Sequence, residues 1–149
     1  RNAAGTTDEA AQRVVDDINA IVAARRGRRR FQCAVRRLVG DQVTVASNGL
    51  IARIIRGGGS AVVDVCYRDS THALTLLACD TRSRSWRFFD PSLWERYPRR
   101  YRAIERLGHP GITQGPNLRI ERQHLDIRRH EFYTLGPLAD REAIIVMPQ

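Results

Sequence analysis

The sequence predicts an α+β fold, with a helical N-terminal part packed on an antiparallel β-sheet. Three observations carry this. Apolar residues recur at helical spacing near the N-terminus, at Ala11, Val14, Val15, Ile18, Ile21 and Val22. Between Ala61 and Phe89 the pattern changes to short β-branched and aromatic runs. Polar connectors of hairpin length, Arg68-Asp69-Ser70 and Asp80-Thr81-Arg82-Ser83, separate those runs. A length of 149 residues suits one hydrophobic core better than two, so residues 1–149 are read as a single domain.

In chain order, Thr6 and Glu9 have capping-box spacing, and they start the first helix, which runs to Arg25-Arg26-Gly27. A basic run follows, from Arg25 to Arg30, broken by Gly27. Ala34, Val35, Leu38 and Val39 then recur at positions that predict a short helix beginning near Cys33. Ser47-Asn48 caps another, with Leu50, Ile51, Ile54 and Ile55 facing inward and Gly57-Gly58-Gly59 ending it. Ala61 to Tyr67, His72 to Cys79 and Ser85 to Phe89 form a three-stranded meander. Arg99 to Leu107 is expected to be helical and Gly108 to Pro116 a loop. Leu118 to Arg122, Phe132 to Leu135 and Ala143 to Met147 are expected strands.

The chain carries 25 basic residues, all arginine, against 16 acidic ones, a formal charge of +9. Such a surface suits nucleic acid, anionic lipid or an acidic protein, although GC-rich coding also yields arginine-only composition. No run reaches the roughly 18 apolar residues of a membrane span, so no span is expected. Three cysteines, Cys33, Cys66 and Cys79, with no CxxC pair, argue against a disulfide framework or a structural zinc site and for a reducing compartment. The opening Arg1-Asn2-Ala3-Ala4 has neither an initiator Met nor a signal core and reads as part of a longer protein.

The residues that carry chemistry are Cys33, His72 and Asp90. A hairpin between the second and third strands of the meander would bring His72, at the start of one, beside Asp90, at the end of the other. That is how a catalytic base and its orienting carboxylate are commonly built. Cys33 at a helix N-terminus would be favoured as a thiolate by the terminal N–H groups, with Arg28, Arg29 and Arg30 adding to that field. Pro91 holds Asp90 extended. The order of Cys33, then His72 in His-Ala-hydrophobic, then Asp90 in Phe-Phe-Asp-Pro resembles the papain-like cysteine hydrolases of bacterial effectors and toxins. That group includes type III effector cysteine proteases and toxin-type glutamine deamidases. The resemblance covers roughly residues 31–107, and the 39-residue spacing from Cys33 to His72 is similar to the deamidase branch. It implies a papain-like fold and no cofactor. It also implies a host or partner protein as substrate, met after delivery into the host cytosol. In that reading Cys33 attacks the carbonyl, His72 moves the proton and Asp90 orients His72, with Gln32 or the Cys33 amide as oxyanion donor.

Other readings accompany this one. Cys66 and Cys79 fall in apolar strands and read as core, while His109, His124 and His130 read as surface residues. A zinc site from Cys66, His72 and Cys79 would need unusual spacings, and no metal is expected. Arg28 to Arg30, with Arg99, Arg100 and Arg102 among Trp94, Tyr97 and Tyr101, form basic patches that would suit single-stranded nucleic acid. A basic binding module is thus the rival from another class. A catalytically inactive papain-like interaction domain is the third reading.

Overall fold

A computed structural model of the chain describes residues 13, 16, 17, 19–21, 24, 33–91, 102–108 and 115–148. The described elements are β1 (Cys33–Val39), α1 (Leu50–Arg56), β2 (Ser60–Tyr67), β3 (Ser70–Asp80) and β4 (Ser85–Phe89), then β5 (Ile104–Arg106), β6 (Leu118–Glu121), α2 (Arg122–Leu125) and β7 (Glu142–Pro148). The strands make one seven-stranded sheet in the order β1-β7-β2-β3-β4-β6-β5. Every neighbouring pair is antiparallel.

This corrects the expected architecture. Among the described residues, the papain-like α+β arrangement with a helical N-terminal part gives way to a seven-stranded antiparallel sheet with few, short helices. The described residues between 13 and 24 are helical, as the apolar spacing predicts, while the capping-box residues Thr6 and Glu9 lie outside the described residues. The segment from Cys33, however, is a strand and not a helix. It pairs with β7 along its whole length, from Cys33 opposite Pro148 to Val39 opposite Glu142. The misleading periodicity has a simple cause. Val35 and Leu38 lie on opposite faces of β1 and are both buried, so apolar residues occupy both strand parities and imitate a helical stripe. Arg37 closes the pairing with a bidentate contact to Glu142, at 2.7 and 3.1 Å. Along the outer edge, the side chain of Asn19 accepts from the Val35 amide at 3.0 Å and donates to the Val35 carbonyl at 2.9 Å. Groups that an edge strand leaves unpaired are thereby satisfied.

One face of the sheet builds the core. Val63 opposes Leu74 and Ala61 opposes Leu76, all four fully buried, and Trp86, Phe88, Leu118 and Ile120 extend the same layer. Ile51, Ala52, Ile54 and Ile55 of α1 join that cluster, as the i, i+3, i+4 spacing predicts. The helix ends where Gly57, Gly58 and Gly59 turn the chain into β2, Gly58 taking a left-handed φ of 84°.

Two later expectations also change. Arg99 to Leu107 contributes strand β5 rather than a helix, its first residues lying outside the described ones. Phe132 to Leu135 is turn, because Tyr133 sits at a left-handed φ of 57° that no extended strand tolerates. The segment still bonds to the free edge of β2: Tyr133 N donates to Cys66 O and Cys66 N to Thr134 O, both at 2.7 Å. Arg141 anchors its far end. Its buried guanidinium donates to Gly136 O at 3.0 Å, to Val43 O at 3.2 Å and to Asp126 Oδ1 at 2.8 Å.

Candidate functional site

The β2–β3 hairpin turns through Arg68 at a left-handed φ of 50°, and Ser70 Oγ donates to Tyr67 O at 3.0 Å. The resulting register sets His72 opposite Val65, on the core face but beyond its last fully buried pair. His72 therefore sits at the rim of the core, partly exposed. Asp90 follows β4 immediately and falls on the same face, diagonal to His72 across the β3–β4 pairing that sets Thr75 opposite Phe89.

Asp90 is 1% exposed, and a buried carboxylate is costly unless its oxygens find donors. His72 Nε2 lies 2.8 Å from Oδ1. The Tyr133 hydroxyl donates to Oδ2 at 2.5 Å. The backbone is fixed as firmly, since Asn117 accepts from the Asp90 amide at 2.8 Å and donates to its carbonyl at 2.9 Å. Tyr67 and Tyr133 flank the imidazole, with ring centroids 5.7 and 5.9 Å away, and Phe132 packs on Tyr133 at 4.5 Å. The arrangement holds Nε2 on the carboxylate and leaves Nδ1 as the nitrogen able to take a proton from something else. Such a pair is chemically able to transfer a proton.

The third expected member is elsewhere. Cys33 starts β1 and pairs with Pro148, while Val146 pairs with Ser60 and Val65 with His72. Three strand spacings and about seven residues along the strands separate the two backbones, roughly 25 Å. Nor does Cys33 open a helix, so the dipole argument for its thiolate does not hold at this position. Among the described residues no serine, threonine or cysteine side chain hydrogen-bonds to His72.

Gln32, Arg28, Arg29, Arg30, Arg99, Arg100 and His109 lie outside the described residues, and Arg102 is exposed on a turn. His124, read from the sequence as a surface residue, is 8% exposed, with Nε2 2.9 Å from Phe132 O. Its task is to hold the loop that carries Tyr133. Asn117 and Tyr133 are the site residues that sequence reasoning missed. Asn117 follows Gly115-Pro116 and Tyr133 lies in an ordinary aromatic pair, so neither carries a local signal.

No protein-family model, curated protein or solved structure matches the chain. A cavity of about 590 Å³, lined by Ser47, Asn48, Arg56, Asp80 and Arg122 among others, lies at the opposite end of β3 from His72. Among the described residues no cluster of three side chains is arranged to hold a metal ion, and no helix is long and apolar enough to cross a membrane.

Proposed function

We propose that this domain is a hydrolase whose proton-transfer centre is His72, with Asp90 holding the imidazole through Nε2 and Nδ1 facing the reaction. The observation that carries the reading is the buried carboxylate of Asp90, fixed from three sides and aimed at a partly exposed imidazole. A structural hydrogen bond alone would not require a charge-bearing group at that depth, because an apolar pair would close the sheet at lower desolvation cost. The nucleophile in this reading is a water that gives its proton to Nδ1 as it attacks an ester or amide carbonyl. Nδ1 then returns the proton to the leaving group. Asp90 keeps the reactive tautomer and stabilises the imidazolium. Cys33 is given no part in it.

The test is hydrolysis of a panel of activated esters and peptide amides by the full chain. His72→Ala is expected to lower the rate by about 10² to 10⁴ with the far-UV circular dichroism unchanged, and Asp90→Asn by a similar factor. Equal rates in His72→Ala and the parent protein would end the proposal. The competing reading, an inactive domain used for protein interaction, is favoured by the distance between Cys33 and His72. It predicts no turnover on any substrate of the panel.

A further inference from the structure

We propose that Cys66, His130 and Asp140 form a second reaction centre, in which Cys66 takes over the acyl group of a small thioester. Cys66 Sγ lies 3.6 Å from His130 Nδ1, and His130 Nε2 lies 3.4 Å from Asp140 Oδ2. A thiol, an imidazole and a carboxylate stand in line. With the proton of the neutral imidazole on Nε2, Nδ1 can accept from the thiol, and the Asp140 carboxylate, at ion-pair distance from Nε2, favours the imidazolium that forms.

The line is preassembled. The loop carrying His130 is bonded to the peptide of Cys66 itself, through the two 2.7 Å bonds with Tyr133 and Thr134. Thr134 Oγ1 donates back to Glu131 O at 2.8 Å and braces the same loop. Asp140 closes a 3-10 turn, Leu138–Asp140, flanked by Arg141, whose buried guanidinium grips Gly136 O. Gly136 itself clears the sulfur. A Cβ there would stand 2.8 Å from Sγ, and the residue's φ of 70° is one that only glycine adopts at little cost.

The centre is separate from His72. Val65 and His72 are paired on the core face, so Cys66, the next residue along β2, points to the other side. The site also limits its substrate. The side chains of His130 and Asp140 are 72% and 57% exposed, whereas Cys66 as a residue is only 9% exposed. The sulfur is thus reached by a slim carbonyl group arriving beside the imidazole, not by a folded peptide. In the reaction His130 Nδ1 takes the thiol proton and Sγ bonds to the carbonyl carbon. The carbon–sulfur bond to the departing thiol breaks, and that thiolate takes the proton from Nδ1. One thioester replaces another, a nearly balanced exchange that needs no oxidant and little leaving-group activation.

The experiment incubates the full chain with S-acetyl-N-acetylcysteamine and locates acetyl groups by peptide mass spectrometry. Cys66 is expected to be acetylated about tenfold faster than Cys79, whose thiol is pushed up chiefly by burial. His130→Ala should slow Cys66 acetylation about tenfold and Asp140→Asn about threefold. Both replaced side chains are exposed, and circular dichroism should stay unchanged. Acetyl on Cys66 and turnover of the ester panel are read separately, which separates this centre from the hydrolase proposal. Absence of acetyl on Cys66, or a rate indifferent to His130→Ala, overturns the inference.

Discussion

Asp90 and Asp64 are both carboxylates on the sheet, and their surroundings differ. Asp90 meets a tyrosine hydroxyl and an imidazole, and Asn117 pins its backbone. Asp64 lies on the outer face of β2, where burial raises its carboxyl above the ordinary value, Glu142 adds to the rise and His72 opposes it. A raised carboxyl means that the folded state holds the proton more tightly than the unfolded one. Stability is therefore lost as the pH climbs from the unfolded value through the higher folded one, and the loss is complete above it. Asp64→Asn removes an ionised group that costs stability at neutral pH. It is expected to raise the melting temperature at pH 7 by about 1–3 °C and to leave it nearly unchanged at pH 3, as a pH series of thermal melts would read. At this scale the sequence revealed His72 and Asp90, because strand ends and connector lengths fix which residues a hairpin juxtaposes. It concealed Asn117 and Tyr133, which reach Asp90 from 27 and 43 residues away.

Helix α1 and the three strands of the meander were legible as elements because each is specified locally. Leu50, Ile51, Ile54 and Ile55 give one apolar stripe, and the alternation in β2 matches its burial almost residue for residue. Strand β1 was not legible, since both of its faces are covered and its period is blurred. The junction between α1 and β2 depends on Gly59. A Cβ at that position would stand 2.5 Å from both Ile54 Cγ2 and the Val146 carbonyl oxygen, and backbone cannot step aside as a side chain does. Gly59→Ala is expected to cost about 2 kcal/mol, read from urea unfolding at constant m value. A cost below about 0.5 kcal/mol would mean that helix and strand meet less closely than these distances require.

For the whole molecule the decisive strand is the last one. β7 lies between β1 and β2, so the C-terminal end of the chain joins its first strand to the central hairpin. Deleting residues 142–149 should leave β1 without a neighbour and uncover Val63, Leu38 and the rest of that core edge. The expected result is loss of the cooperative thermal transition together with strong binding of a hydrophobic dye, read by calorimetry and fluorescence. Retention of a sharp transition would show that the meander and α1 fold without it. The sequence by itself determined the helix α1, the strands of the meander and the adjacency of His72 and Asp90. All of these follow from periodicity and turn length within about forty residues. Only the tertiary structure decided that Cys33 sits in a strand far from His72, that Tyr133 and Asn117 brace Asp90, and that Cys66 meets His130. Those facts depend on which distant strand pairs with which, a choice made by burial over the whole sheet and written in no local pattern.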